Sequence, residues 1–499
     1  MKSINEFLKL TEKYNVIPVF RETIADLETP LSAYMKIDNP EYSFLLESVE
    51  GGERIARYSF LGREPFMTFF YKNGQVCINS KNEKKVINTT DPLKILKEIF
   101  DNFKVAPVKG LPRFHGGAVG YIGYDIVKLY EKIPQKNKID DLNWPDLYFM
   151  FADILMVFDH IYHKIQVVYN VIIEKDDTRE DKKRKYINAL KKIDSIIKEL
   201  NGPLKKIKLK ETKAKTKLIF YTKKEEFKNM VKKTVNLIKN GEAIQVVLSQ
   251  RFKILYSGDP LNIYRSLRIV NPSPYMHYLR FGDILIIGAS PELMVRVENG
   301  KIELRPIAGT RKRGKTEEED KKLEIELLNN EKEKAEHIML VDLGRNDVGR
   351  VSEIGTVKVK DLMVIERYSH VMHIVSSVEG KLKKGKDIFD VLKSTFPAGT
   401  VSGAPKVRAM QIIEEMEKVK RGPYAGIVGY ISFSKNLDSC ISIRSIYFNK
   451  NKAIIQAGAG IVADSKSEKE YEETINKAKA LFKAIELSNS FIFKKGVKL

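Results

Sequence analysis

Apolar and polar positions alternate in several short runs bounded by turn residues, which predicts strands over 42–48, 57–61, 67–71, 149–158 and 164–173. Tyr186, Leu190, Ile193, Ile197 and Leu200 instead recur at helical spacing. They predict one amphipathic helix over 178–200, stopped by Asn201-Gly202-Pro203. A lysine-rich connector follows over 204–217. The helical period returns over 224–239 and again over 468–486, with strands between, among them 284–287 and 293–298. Glycines punctuate a strand-like run over 116–125, where another backbone is expected to pack closely. The chain thus divides into an α+β region (1–175), a charged helix and connector (176–217), and a region over 218–487 that carries the candidate chemistry.

Bulk composition narrows the classes. A chain of 499 residues with 43% hydrophobic content can bury two or three ordinary cores or one large interleaved one. No apolar run reaches membrane-spanning length, and residues 1–13 mix charge through their apolar positions, so neither a membrane span nor a signal peptide is expected. Cys77 and Cys440 lie far apart without metal-ligand spacing, which fits a reducing, cytoplasmic setting. The net charge of +22 is spread along the chain and is densest over 182–217, where no aromatic platform interleaves it. It reads as a solvated Lys/Glu-rich surface rather than a nucleic-acid site, and its field would also draw in a small dianion.

Candidate chemistry concentrates after residue 240. The run Phe396-Pro397-Ala398-Gly399-Thr400-Val401-Ser402-Gly403-Ala404-Pro405-Lys406 sets two hydroxyls among small residues, so backbone donors can approach an anion. Glu333 and Glu336 share one helix face, as do Glu470 and Glu473. Two facing pairs of hard oxygen ligands suit Mg²⁺ with positions left for a substrate carboxylate. The spacing of Ser467 and Glu470 fits a capping box equally well, and Glu473 with Lys477 fits an i, i+4 ion pair. Glu292 follows a turn beside a strand, either as a proton donor of raised pKa or as an exposed turn residue. His370 and His373 are a metal pair or ordinary strand residues; spacing does not decide. Gly458 and Gly460 leave backbone open on the strand Gln456-Ala457-Gly458-Ala459-Gly460-Ile461, and Arg444 in an apolar strand wants an anionic partner. Together these suit a substrate with two carboxylates, one on Mg²⁺ and the other near Arg444, Lys477 and the glycine backbone.

These motifs, in this order, resemble the chorismate-utilising enzymes, most closely their anthranilate synthase component I members. The matching strings include Leu45-Leu46-Glu47-Ser48, residues 241–250, Arg305-Pro306-Ile307-Ala308-Gly309-Thr310-Arg311, Asp342-Leu343-Gly344-Arg345-Asn346-Asp347 and the Thr400 loop. The resemblance implies an α+β fold of two packed antiparallel β-sheets flanked by helices, layered α/β/β/α, with N- and C-terminal regions interleaved. It implies Mg²⁺ on Glu336 and Glu473, with Glu333 and Glu470 adjacent. Glu292 is implied as the general acid on the departing C4 hydroxyl, and His373 as the histidine that assists elimination. Thr400 joins them at the reacting centre. Gln245, Ala308, Gly309, Thr310, Thr400, Tyr424, Arg444, Gly458, Ala459, Gly460 and Lys477 are implied to bind or position substrate.

Two absences select among family members. Relatives that activate water carry lysine where this chain has Gln245, and aminodeoxychorismate synthases commonly carry lysine where it has Ala308. Direct attack of ammonia at C2, followed by loss of pyruvate, is what remains. Aminodeoxychorismate synthase component I is the alternative. Neither cysteine sits on a nucleophile elbow, so ammonia is expected from a separate glutamine amidotransferase subunit. Glu47, Ser48, Pro274, Tyr275 and Met276 resemble the family's tryptophan feedback site. Lys312 and Gly344 depart from the commonest family residues without touching a catalytic position.

Overall fold

The computed structural model describes residues 3–49, 57–80, 83–136, 138–204, 218–368 and 371–488. His370 and most of the expected connector (205–217) lie outside them.

Alternating patterns on both sides of the chain's midpoint build two antiparallel sheets, and each sheet is shared between the two regions. In the first, Val16–Ile24, Lys164–Ile172, Ile154–Asp159, Tyr58–Arg63 and Tyr42–Glu47 come from the N-terminal region. They continue without a break into Tyr275–Phe281, Ile284–Ser290, Ser445–Asn449, Lys452–Ile461, Gln245–Leu255 and Leu218–Phe220. The seam is the pairing of Leu46 with His277 and Leu45 with Tyr278. In the second sheet the seam joins Gly117–Ile122 to Ile427–Ser432. Gly120 faces Gly429 there, and a Cβ at Gly120 would strike the neighbouring backbone, which accounts for the glycines in that run.

The sheets meet face to face. Phe60 packs edge-on against Tyr430, and Tyr121 and Tyr148 close on Phe281, each pair crossing the gap between sheets. Helices cover the outside. Arg179–Leu200 begins at a Thr178 capping box and buries Tyr186, Ala189, Ile193, Ile196 and Leu200. Pro260–Val270 and Ser467–Ser488 pack on the same outer face. The layered α+β architecture expected from sequence is therefore present.

One expected element splits. The run 149–158 forms two strands, Leu147–Ala152 in the second sheet and Ile154–Asp159 in the first. All of their residues but Ile154 are buried, so alternation is lost, and the half-buried Asp153 stands alone at the crossing.

Candidate active site

Two of the chain's other crossings between the sheets each carry a predicted site residue. Ser290-Pro291-Glu292 links Ile284–Ser290 to Leu293–Glu298. Ser442-Ile443-Arg444 links Leu437–Ile441 to Ser445–Asn449. The crossings hold each other: Ile441 N donates to Glu292 O at 3.0 Å, Ala289 N to Arg444 O at 3.1 Å, and Ser290 Oγ to Ile441 O at 2.6 Å. Rigid strands thus fix the acid and the arginine side by side.

Glu292 is 8% exposed. Desolvation pushes its carboxyl up to about 7, against the pull of the Thr400 hydroxyl and the charges of Lys477 and Arg444. At neutral pH a large fraction keeps its proton. Thr400 lies in the short helical turn Gly399–Ser402, with its hydroxyl buried and without a hydrogen-bond partner of good geometry. Glu292 and Thr400 share a cavity with Arg305, Leu340, Leu343 and Asp347. Gly344 also lines it, and a methyl group there would make only ordinary contacts, so alanine would fit equally well.

Arg444 is the centre of the cluster. Its φ of 51° is in the left-handed region, an uncommon setting for a long side chain. Its charge is felt at Glu292, His373 and Tyr424. Burial in turn lowers its own pKa, offset by Tyr424, Glu473 and Glu292. From the helix Ser467–Ser488, Lys477 Nζ donates to Gly458 O on the strand Lys452–Ile461 at 2.9 Å and pairs with Glu473 at 2.6 Å. A Cβ at Gly458 would lie 2.8 Å from the Tyr424 hydroxyl, and one at Gly460 2.7 Å from Gln245 Nε2. Both glycines therefore keep the floor of the site open. Ala459 does not: its side chain packs with Val246, Leu248, Ala409 and Ile461, because strand residues alternate faces. Only its peptide group remains for substrate.

His373 stands on Val371–Lys381, beside a bulge at Gly309 that follows the buried Ala308. Its Nδ1 lies 3.1 Å from Gly309 O and 3.0 Å from Thr310 Oγ1. A carbonyl only accepts, so Nδ1 carries the proton and Nε2 is left as a base. Burial lowers the ring's pKa, which keeps it neutral.

The acidic pairs stand on Glu331–Gly349 and Ser467–Ser488. Gln245 Nε2 donates to Glu336 Oε1 at 2.9 Å, while Glu333 accepts from Arg311 at 3.3 Å. Burial raises the pKa of Glu470, and the nearby Glu473 charge adds to the rise. Among the described residues no three acidic or histidine side chains converge into a ready cage. Mg²⁺ is commonly held by one or two carboxylates, with water and substrate oxygens completing its octahedron. An oxygen-only set drawn from Glu336 and Glu473, with Glu333 and Glu470 beside them, fits that ion's chemistry.

A framework residue escaped sequence reasoning. Arg421 is 2% exposed, bonds both Glu417 oxygens (2.9 and 2.7 Å), and donates to Val401 O and Val247 O at 2.7 Å each. It ties the Thr400 turn to the strand that begins at Gln245. Arg421→Leu strands a buried carboxylate and is expected to cost about 3–5 kcal/mol, read as a lowered Tm. No spacing rule marks such a residue, although Tyr424 lies three positions on.

The five residues expected at a feedback site all line a second cavity of about 60 Å³, with Tyr58, Phe60, Arg113, His277, Arg296, Tyr430 and Asp438. Glu47 departs from expectation. It sits opposite Met276, and its carboxylate accepts from Tyr264 (2.5 Å) and Arg268 (3.2 Å) on the outer helix. While those bonds stand, the Glu47 carboxylate is engaged at the outer helix rather than free for a head group. Among the polar groups that line the cavity, Asp438 is bracketed by Arg296 and Arg113 at 3.1 Å each and accepts from the Tyr275 hydroxyl.

The anthranilate synthase component 1 of Acetivibrio thermocellus is 51% identical over 493 residues, covering 97% of this chain and 98% of that protein. That of Aquifex aeolicus is 51% identical over 490 residues, covering 97% and 98%. The crystal structure of anthranilate synthase component I from Streptococcus pneumoniae TIGR4 superposes with a TM-score of 0.75 at 40% identity, covering 92% of this chain and 98% of that one. MenF, the menaquinone-specific isochorismate synthase from Escherichia coli, shares the fold at 18% identity, with a TM-score of 0.69 over 96% of this chain and 98% of that one. The model of chorismate binding enzymes matches residues 42–483, and with those identities it shows that the chain belongs to the chorismate binding enzyme family.

Proposed function

We propose that the protein is the chorismate-binding lyase of an anthranilate synthase, turning chorismate and ammonia into anthranilate and pyruvate as the first step of tryptophan biosynthesis. The observation that carries this reading is Glu292, a buried carboxyl pushed up to about 7 beside Thr400 and Arg444. A group poised at that value can donate a proton to a leaving hydroxyl at neutral pH.

Arg444, Lys477, Tyr424 and the open backbone at Gly458 and Gly460 bind one carboxylate. Glu336 and Glu473 would hold Mg²⁺, which when bound supplies positive charge for the ring carboxylate. Glu292 gives its proton to the C4 hydroxyl, which departs as water while ammonia bonds to C2. Gln245 and Ala308 offer no competing base or amine, so ammonia meets no rival from the protein. The product of that step, 2-amino-2-deoxyisochorismate, then loses its enolpyruvyl group as pyruvate. The C2 proton must leave for this, and neutral His373, with Nε2 unprotonated, assists it. Aromatisation drives the step.

Ammonia comes from glutamine through a partner amidotransferase; Cys77 and Cys440 both lie inside strands, Gln75–Ser80 and Leu437–Ile441, and neither stands on a strand-to-helix elbow. Tryptophan bound in the Tyr275 cavity inhibits by preferring a poorly active conformation. Among the described residues no helix is long and apolar enough to cross a membrane, which agrees with work on a small soluble substrate.

The test is purified protein with chorismate, an ammonium salt and Mg²⁺, followed by product fluorescence. Anthranilate is expected. A 4-aminobenzoate precursor, or no amine product at all, overturns the reading.

A further inference from the structure

Three residues lie in register across three neighbouring strands, with His277 opposite Gly288 and Gly288 opposite Ser445. A Cβ at Gly288 would collide with both the His277 ring and the Ser445 hydroxyl. The imidazole therefore lies across the glycine, and its Nε2 reaches Ser445 Oγ at 3.3 Å. Both residues are 1% exposed. Ser445 Oγ also lies 3.0 Å from Ile443 O, so one hydroxyl sits between the ring nitrogen and that carbonyl. Burial pushes His277 down to about 4, which leaves the bond between neutral groups at assay pH.

The two ends of this contact belong to different sites. His277 lines the Tyr275 cavity. Ser445 follows Arg444, and its bond to Ile443 O spans that residue like a clasp, over backbone held at the costly φ of 51°. Gly288, beneath the ring, opens the segment that ends at Glu292, and the next residue, Ala289, donates to Arg444 O. One imidazole thus touches both strands that lead into the acid and the arginine.

We infer that His277 and Ser445 are positioning residues that couple occupancy of the Tyr275 cavity to the setting of Arg444, and so to the binding of chorismate. The inference rests on reading that cavity as the tryptophan site. A ligand there moves the histidine, the clasp on Ser445 loosens, and Arg444 leaves the conformation that meets a carboxylate. By linkage, chorismate and tryptophan then weaken each other's binding equally.

Ser445→Ala removes both hydrogen bonds at nearly constant volume. His277→Phe keeps an aromatic ring and removes its hydrogen bond to Ser445, and it serves if the first variant does not fold. Tryptophan Kd is measured by calorimetry, and chorismate kcat and KM are measured with ammonium, with and without saturating tryptophan. Chorismate KM without tryptophan should rise about 3- to 10-fold, the range of one neutral hydrogen bond. With kcat held, that pattern marks lost ground-state binding rather than lost chemistry. The ratio of KM with and without tryptophan should fall by a similar factor while tryptophan still binds. Variants that bind tryptophan and keep the wild-type KM and KM ratio overturn the coupling. Wild-type protein that binds no tryptophan overturns the reading of the cavity itself, and the calorimetry tells the two failures apart.

Discussion

Glu292→Gln lowers anthranilate formation from chorismate and ammonium by about 10²- to 10⁴-fold, the usual contribution of a general acid. The amide copies the shape of the protonated carboxyl but has no proton to give. Wild-type rate falls as pH rises through about 7, where Glu292 ionises, and the residual rate of the variant loses that limb. Stability carries a second signature. The folded carboxyl keeps its proton up to about 7, whereas the unfolded one ionises near 4.5. The unfolded state therefore binds fewer protons between those values, and stability declines as pH rises across that window. The Gln variant escapes this decline, so its Tm at pH 7 equals or exceeds that of the wild type. A variant that retains full turnover removes Glu292 from the chemistry.

The second large effect belongs to the acidic pairs. Glu336→Gln, Glu473→Gln and exhaustive chelation each lower turnover by about 10²-fold or more, since a Lewis-acid cation commonly supplies several kcal/mol. The double variant should do little further harm, because residues that serve one ion act as a unit. Gln245 gives the experiment its control. Its amide donates to Glu336, and loss of that bond alone costs at most about tenfold. Circular dichroism should be unchanged in all of these variants. Full turnover in metal-free buffer overturns the assignment.

Period and punctuation made the helices and most strands legible. Lys224–Lys239 matches its expected bounds because its apolar stripe has only one buried face. The strands over 147–159 read as one run, since nearly continuous burial removes alternation and a single Asp153 is all that interrupts it. Among site residues, those in dense local motifs were readable, such as Thr400 and Glu292. Arg421, Asp438 and His277 were not: each has a partner more than a hundred positions away that no local pattern announces. Glu47 shows the reverse problem. The motif was visible, but only the pairing with Met276 shows which way its side chain points.

The seams between the two regions bear on how the chain is made. When a ribosome has released the first two hundred residues, Tyr42–Glu47 and Gly117–Ile122 each present a row of unpaired amides and carbonyls. Their permanent neighbours, Tyr275–Phe281 and Ile427–Ser432, are still unsynthesised. The first edge stays open until just past the middle of the chain and the second until most of it is made, so a product cut off between those points exposes a strand edge that invites aggregation.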